Sequence, residues 1–279
     1  MKKIWMGAVL AGSLILGGCG GDKPAETAKT EATAPSAAGG ALATPDEANG
    51  GTITGKVAFA GEKPKMATLD MSANPACERA HKGSGQKSEE VIVNDNGTLK
   101  YAFVWVKSGL PADKQWAVPT NAVSLDQNGC MYKPHVIGLM TGQSFEIKNS
   151  DPTNHNIHPQ PQVNPDWNES QSPGQAALNK SFARQEVMIP VKCNVHPWMR
   201  SYIGVVGHPF FAVTGDDGTF TIKGLPPGTY VIQSWHEKYG PMEQTVTVGA
   251  KESKTVDFSY KGKVKRGRFW EACPRLHAS

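Results

Sequence analysis

The sequence predicts an all-β fold, and three observations support that prediction. The 279-residue chain has 30 glycines and 20 prolines but only 19% charged residues, a composition that favours strands and turns over helices. Residues 52–59 alternate between two faces, with apolar side chains on one of them, which indicates a half-buried strand. Residues 94–97 (Asn-Asp-Asn-Gly) form a strong turn signal after the next apolar segment.

The same pattern recurs along most of the chain. In the first half we predict strands at residues 91–93, 99–106, 122–125, 135–139, 144–148 and 186–192. In the second half we predict strands at residues 210–214, 219–222, 230–235, 245–248 and 255–258. Many short strands separated by turns are typical of β-sandwiches and Greek-key barrels.

The amino terminus has the pattern of a secretion signal. Lys2 and Lys3 precede an apolar run at residues 4–16, and small residues follow it up to Cys19. We therefore predict a signal peptide at residues 1–18. The Leu-Gly-Gly-Cys sequence that ends at Cys19 resembles the bacterial lipobox. This resemblance implies a lipid on the Cys19 thiol and a lipid-anchored protein of the bacterial cell envelope, facing the periplasm or the cell surface.

The segments that flank the predicted folded part are polar. Residues 19–51 contain almost nothing to bury, so we predict a lipid-anchored, disordered linker. Residues 261–279 form a basic tail, either a solvated terminus or a segment attracted to lipid phosphates or to an acidic redox partner. The formal net charge of +4 is slight, and we expect no binding to nucleic acid.

Three potential metal ligands lie within seven residues near position 196. Cys193, His196 and Met199 supply a thiol, an imidazole and a thioether in a Cys-x2-His-x2-Met motif. A mononuclear blue-copper site uses two histidines, one cysteine and a weak axial methionine. The missing histidine is offered upstream, by His155 or by His158. The motif therefore predicts a copper site.

Strand periodicity suggests how these ligands are oriented. Val187, Ile189, Val191 and Cys193 are expected on one inward face of a strand, which would bury the thiol beside the metal. His155 and His158 are expected on opposite faces of an extended segment, so both cannot easily bind one ion. We choose His155 as the ligand and keep His158 as the alternative.

The segment from His155 to His158 and the Cys-x2-His-x2-Met motif together resemble the cupredoxins. Among the cupredoxins they resemble the amicyanins, whose ligand loop has the same spacing. The resemblance covers roughly residues 100–206. It implies a Greek-key sandwich or barrel with one type 1 copper, bound by His155, Cys193, His196 and Met199. Asn156 would hydrogen-bond the cysteine loop. The implied role is one-electron transfer to or from a redox protein partner, such as a cytochrome or an oxidoreductase. We predict this domain at residues 52–206, with an irregular amino-terminal insertion.

Residues next to Cys193 argue against an enzyme. Multicopper oxidases and copper nitrite reductases resemble cupredoxins but add histidines beside the cysteine, whereas Lys192 and Asn194 occupy those positions here. A binuclear centre would need a second cysteine close to Cys193, and the sequence has none there. We therefore expect no catalytic activity.

The remaining cysteines predict one disulfide. In an oxidising compartment spare thiols tend to pair, which makes Cys77 and Cys130 the natural partners once Cys19 and Cys193 are assigned. Alternatively, Cys77 with His81 and Cys130 with His135 could form a second metal site. Cys273 is left over in the basic tail.

Residues 217–230 resemble the carboxypeptidase-regulatory-like sandwich, whose Asp-Gly-x-Phe and Leu-Pro-Pro-Gly-x-Tyr sequences they contain. The resemblance implies a smaller, non-catalytic, transthyretin-like or Ig-like β-sandwich, which we predict at residues 207–260. Such a module could act as a spacer or bind carbohydrate. Two alternatives to electron transfer stay open. One is a lipoprotein that binds or delivers copper without a redox partner, and the other is a structural or carbohydrate-binding surface lipoprotein.

Overall fold

Strands make up nearly all the regular structure in the computed structural model, which describes residues 41–82 and 85–262. The one helix in these ranges is α1 (Pro75–Ala80). The strands are β1 (Gly51–Ala60), β2 (Phe103–Ser108), β3 (Val123–Gln127), β4 (Tyr132–Lys133), β5 (Val136–Met140), β6 (Phe145–Asn149), β7 (His155–Pro159), β8 (Glu169–Gln171), β9 (Leu178–Lys180), β10 (Glu186–Lys192), β11 (Arg200–Val206), β12 (Phe211–Val213), β13 (Thr219–Leu225), β14 (Gly228–His236), β15 (Gly240–Val248), β16 (Ser253–Thr255) and β17 (Phe258–Lys261). The predicted all-β fold class is confirmed.

Several predictions fall outside the described residues. These are the signal peptide at residues 1–18, the lipidated Cys19, the first part of the linker, and the basic tail from residue 263 with Cys273. Among the residues that the structure does describe, no helix is long and apolar enough to cross a membrane.

The predicted disordered linker is wrong over its last residues. The Ala43 N–H donates to the Gln115 carbonyl at 2.7 Å, and the Asp46 N–H donates to the Gly224 carbonyl at 3.3 Å. A Cβ at Gly50 would lie 2.6 Å from the carbonyl carbon of Gly224 and 2.7 Å from its Cα, so the close approach of the two segments requires glycine. Backbone pairing thus orders a segment that has few apolar side chains to bury.

The strands form four sheets, which we number by their stacking order. Sheet I has the order β13-β1-β16, with β17 also paired to β1, and sheet II has the order β12-β2-β14-β15. Sheet III has the order β5-β11-β10-β7-β8, and sheet IV has the order β4-β3-β6-β9. One apolar cluster fills the space between sheets I and II, a second lies between II and III, and a third lies between III and IV.

The predicted division at residues 206 and 207 is wrong for the first two strands. β1 pairs with β13, β16 and β17, and β2 pairs with β12 and β14, so both strands belong to the carboxyl-terminal sandwich. They occupy interior positions in sheets I and II, which would be split without them. Pairing with distant strands buries the apolar face of β1, and its local sequence could not indicate which partner it would choose.

Sheets II and III approach each other closely at two glycines. Gly138 on β5 and Gly204 on β11 are cross-strand partners. A Cβ at Gly204 would lie 2.5 Å from the ring of Phe103, and one at Gly138 would lie 2.5 Å from the ring of Phe211. The absence of side chains at this pair therefore makes room for two aromatic rings of sheet II.

A buried ionic contact joins the same two sheets. His135 Nε2 donates to the Glu237 carboxylate at 2.6 Å, and the His135 side chain is only 5% exposed. Burial works against protonation of His135, but the hydrogen bond to Glu237 and its charge outweigh burial and raise the pKa of His135. Sheets II and III are thus connected by polar as well as apolar contacts.

We expect Gly204→Ala to destabilise the protein by about 1–3 kcal/mol, because the added methyl group would overlap the Phe103 ring. The measurement is the free energy of unfolding from chemical denaturation. Gly215→Ala is the matched control, since a Cβ there has no neighbour within 4 Å. Equal effects of the two substitutions would contradict the close approach of sheets II and III.

Candidate metal centre

The ligand loop, residues 193–199, joins β10 to β11 in a hairpin. The Cys193 N–H donates to the Met199 carbonyl at 3.2 Å, and the Met199 N–H donates to the His196 carbonyl at 3.0 Å. The His196 N–H also points at Cys193 Sγ, at 3.4 Å. Backbone hydrogen bonds and Pro197 thus hold the loop in one conformation. Cys193, His196 and Met199 are all buried.

The strand that precedes the loop departs from the predicted alternation at one residue. Ile189, Val191 and Cys193 belong to the cluster between sheets III and IV, as the period-two pattern predicts. Val187 instead packs between sheets II and III. The cause is a register irregularity between Glu186 and Ile189, where Met188 has φ 67°. A β-bulge of this kind reverses the face on which the following residues lie.

Three predicted ligands meet at one buried point. His155 Nδ1 lies 2.9 Å from His196 Nδ1, and Cys193 Sγ lies 3.8 Å from His196 Nδ1. One donor atom from each residue can be chosen so that all lie within 4.8 Å of one another. Met199, the predicted fourth ligand, is 0% exposed and packs in the same apolar cluster as Cys193.

The spacing and the chemical types of these donor atoms fit a bound metal ion. Two donors bound to one ion at about 2.0–2.3 Å can be at most ~4.6 Å apart. The separations of 2.9 and 3.8 Å both fall within that limit. Two imidazoles and a thiol suit copper and zinc, and an added thioether favours copper. Among the described residues Cys193 is the only cysteine outside a disulfide.

His158, the alternative ligand, lies outside this group. Its Nε2 contacts the carboxylate of Asp166 at 3.1 Å, and its Nδ1 lies 3.4 Å from Asn194 Oδ1. Its side chain is 17% exposed, whereas that of His155 is 0% exposed. The two histidines of β7 therefore point to opposite faces of the sheet, as the strand geometry predicts.

Asn156 links the two segments that carry the ligands. Its Oδ1 accepts the N–H of Asn194, which follows Cys193, at 2.5 Å. Its backbone carbonyl accepts the Tyr132 hydroxyl at 2.5 Å, and its amide donates to Asn168 Oδ1. The predicted contact between Asn156 and the cysteine loop is present in the structure.

Asp151 holds His155 in position, a role that the sequence reasoning missed. Its carboxylate accepts His155 Nε2–H at 2.8 Å and the N–H groups of Gly129 and Cys130 at 2.6 and 2.7 Å. A carboxylate behind a metal-binding imidazole fixes the ring orientation. The available signal was an acidic residue four positions before the histidine.

Residues 71–82, which we call the His196 cap, cover the other imidazole. Asn74 begins helix α1 by accepting the N–H groups of Ala76 and Cys77 with its Oδ1, at 3.1 and 3.3 Å. Its amide nitrogen lies 2.7 Å from His196 Nε2. Cys77 Sγ also lies 3.6 Å from that nitrogen. Pro75 at the first helical position supports this local structure, which sequence reasoning described only as irregular.

The cap is anchored by a disulfide between Cys77 and Cys130, with an S–S distance of 2.03 Å. The alternative second metal site does not form from these residues. His81 Nε2 contacts the Gly129 carbonyl at 2.6 Å, and His135 contacts Glu237. Cys130 is near Asp151 and His155, but its sulfur is already in the disulfide.

Hydrogen-bond partners indicate which ring nitrogen of each of the two imidazoles carries a proton. Because Asn74 Oδ1 accepts two backbone N–H groups, its amide N–H donates to His196 Nε2. His196 then carries its proton on Nδ1 and donates it to His155 Nδ1, and His155 Nε2–H donates to Asp151. A metal bound at both Nδ1 atoms must displace the proton between them.

Burial and charge shift the pKa values of the three donors in different directions. Burial and the neighbouring His155 lower the pKa of His196 to about 4. Burial disfavours the thiolate of Cys193, but the neighbouring His155 and backbone N–H groups outweigh it, so the pKa of the thiol is lowered. Burial also opposes protonation of His155, but Asp151 outweighs it and raises the pKa of His155. A lowered thiol pKa and a neutral His196 both suit metal binding, because a metal takes the thiolate and the unprotonated imidazole.

A comparison with known protein families supports the predicted carboxyl-terminal sandwich. Residues 204–261 match the family model of the carboxypeptidase regulatory-like domain. The matched range ends in β17 and excludes β1 and β2, which complete sheets I and II. No curated protein matches the chain in sequence.

Three solved structures resemble part of this chain at low sequence identity. A copper-containing nitrite reductase from Thermus scotoductus SA-01 is 17% identical with a TM-score of 0.29, and the match covers 35% of this chain and 25% of the reductase. A purple cupredoxin from Nitrosopumilus maritimus is 17% identical with a TM-score of 0.26, covering 30% of this chain and 98% of that protein. Amicyanin from Paracoccus versutus is 20% identical with a TM-score of 0.28, covering 37% and 96% respectively.

Replacing Asp151 with Asn should weaken metal binding by about 10–100-fold, because the imidazole of His155 loses its carboxylate partner. Competition titration with a chromophoric chelator measures this affinity. The same substitution should lower the pKa of His155 in the metal-free protein, since Asp151 raises it. Asp166→Asn, which changes the partner of His158, is the control. Equal losses in the two variants would contradict the assigned role of Asp151.

Asn74→Asp should strengthen metal binding relative to Asn74→Ala. Aspartate retains the helix cap, and its second oxygen can accept a proton on His196 Nε2, which leaves Nδ1 free for the metal. Alanine removes both functions and should cost about 1 kcal/mol of stability through the lost cap. Chelator competition and chemical denaturation measure the two effects. If Asn74→Asp binds metal no more tightly than Asn74→Ala, residue 74 does not control metal binding through the proton position on His196.

Proposed function

We propose that the protein is a membrane-anchored type 1 copper protein that carries single electrons outside the cytoplasm. The observation that supports this function is that one ligand atom from each of His155, Cys193 and His196 lies within 4.8 Å of the others at a buried point. Bound copper would supply the Cu(I)/Cu(II) couple, since sulfur donors favour Cu(I) and imidazole accepts Cu(II). The proposed location outside the cytoplasm is based on the sequence ending at Cys19, which has the pattern of a secretion signal.

The surrounding residues suit a carrier whose ligands should move little. Asp151 fixes the ring of His155, and the amide of Asn74 lies against the ring of His196. Asn156 connects the β7 segment to the residue after Cys193. A centre held in this way is preorganised, because its ligand orientations are set by hydrogen bonds to residues outside the ligand set.

Copper delivery is less well supported than electron transfer. A delivery protein must let an incoming ligand reach its metal, whereas the side chains of His155, Cys193 and His196 are all buried here. The His196 cap also covers the ligand loop, and the Cys77–Cys130 disulfide anchors the cap. For the same reason we propose that the centre is not catalytic, because a substrate would have no direct approach to the metal.

Reconstitution with Cu(II) tests the proposal. We expect an intense visible thiolate-to-copper absorption band that a mild reductant bleaches. Cys193→Ala and His155→Gln should abolish the band, because each removes a donor from the buried group. His158→Gln is the matched control and should retain the band, since His158 faces Asp166 on the other side of β7.

Two results would contradict this function. Tight Cu(I) binding without the visible band would favour copper delivery. A wild-type protein that retains no copper, or retains it equally after Cys193→Ala, would favour a structural or carbohydrate-binding role.

A further inference from the structure

A second group of buried donor atoms lies behind His155, where its Nε2 meets the Asp151 carboxylate at 2.8 Å. One donor atom from each of Cys130, Asp151 and His155 lies within 4.8 Å of the other two, and all three residues are buried. The sulfur of Cys130 is bonded to that of Cys77. The disulfide is therefore what prevents this group from acting as a set of metal ligands.

The disulfide also holds a fourth donor beside the group. Cys77 Sγ, its other half, lies 3.6 Å from His196 Nε2. The Cα atoms of Cys77 and Cys130 are 5.5 Å apart, so rotation about the two Cα–Cβ bonds can direct both sulfurs to one ion. The thiolate is the form of cysteine that binds metals. Breaking the cross-link thus converts two bonded sulfurs into two potential ligands.

Two thiolates, one imidazole and one carboxylate form a donor set that suits zinc(II). Zinc takes four such ligands in a tetrahedron, at about 2.3 Å from sulfur and about 2.0–2.2 Å from nitrogen or oxygen. The backbone N–H groups of Gly129 and Cys130 already hold the Asp151 carboxylate, at 2.6 and 2.7 Å. Hydrogen bonds of this kind orient a carboxylate that binds a metal.

The segment that carries Cys77 lies at the surface. Helix α1 has only six residues, and its Glu78 and Arg79 are exposed. A groove of about 550 Å³ runs beside it, with Met71 and His81 in its lining. A short surface segment can open locally without unfolding of the sheets beneath it. Local opening of α1 would therefore admit a reductant to the buried disulfide.

We propose that reduction of the disulfide creates a zinc(II) site whose ligands are Cys77, Cys130, Asp151 and His155. The site goes beyond the proposed copper function and does not depend on it. Zinc takes over from the disulfide as the link between the His196 cap and the segment before β4. The cap is thereby kept in place under reducing conditions.

The reductant belongs to the class of dithiols. One of its thiolates attacks the disulfide, and its second thiol resolves the mixed disulfide. The Cys77–Cys130 bond breaks, a disulfide forms in the reductant, and two electrons and two protons pass to the protein sulfurs. Zinc binding then releases both thiol protons. The proton on His155 Nε2 moves to Nδ1, and that on His196 moves to Nε2, where Cys77 Sγ can accept it.

Cobalt(II), a spectroscopic substitute for zinc, tests the site in the full-length chain carrying Cys19→Ala, Cys193→Ala and Cys273→Ala. Cys77 and Cys130 are then its only cysteines, so every thiolate signal comes from them. After reduction by a phosphine, we expect one equivalent of cobalt(II) to give the intense visible bands of a tetrahedral site and a thiolate-to-cobalt band. Zinc(II) should abolish both by displacement. The oxidised protein should show neither.

Two pairs of variants in this background test the other ligands. Asp151→Ala and His155→Gln should each weaken cobalt(II) binding at least about tenfold. Asp166→Asn and His158→Gln are the matched controls and should bind cobalt(II) as the parent does, since these residues contact each other on the other face of β7. Equal affinities in all four variants would show that the thiols bind the ion alone, which would overturn the proposed site.

Stability gives a second criterion, because an ion that binds only the folded state stabilises it. Zinc(II) should raise the midpoint of chemical denaturation of the reduced protein and leave that of the oxidised protein unchanged. A reduced protein that stays folded without cobalt(II) bands would overturn the proposal. So would one that loses its near-ultraviolet circular dichroism and does not regain it with zinc(II). Because Cys193 is absent, none of these results bears on the copper function.

Discussion

The Cys77–Cys130 disulfide is the constraint on which both histidines of the centre depend. On one side it anchors the cap whose Asn74 lies on His196. On the other side, the N–H of Cys130 helps to hold Asp151, which orients His155. A single covalent link therefore restrains both imidazoles, although neither cysteine belongs to the proposed ligand set. The carbonyl of Cys130 also accepts the Trp198 indole, so the same link positions the exposed edge of the centre.

The four stacked sheets explain why the ligand loop is held so firmly. The loop joins β10 to β11 in sheet III, which has an apolar cluster on each face. Gly138 and Gly204 allow sheet II to approach sheet III closely, and the contact between His135 and Glu237 adds a buried charge pair to that interface. Disturbing the regulatory-like sandwich would therefore also disturb the strands that carry Cys193. This coupling gives the second sandwich a structural role beyond that of a spacer.

Burial explains both the chemistry of the centre and its accessibility. Removing three donors from water favours a neutral His196, while hydrogen bonds lower the pKa of the Cys193 thiol despite its burial. The same burial closes direct access to His196, whose ring packs beside the partly exposed Trp198.

The sequence by itself determined the strand pattern and the chemistry of the ligand loop, because both depend on local spacing. Alternation in residues 186–192 predicted β10 and the burial of Cys193, and strand geometry separated His155 from His158. Only the tertiary structure decided that β1 and β2 complete the carboxyl-terminal sandwich, since strand pairing is a long-range choice. It also placed Asn74 and Asp151 against the two imidazoles, and it introduced the bulge at Met188 that displaced Val187. Such contacts arise from packing between segments that are distant in sequence, and a local sequence pattern cannot predict them.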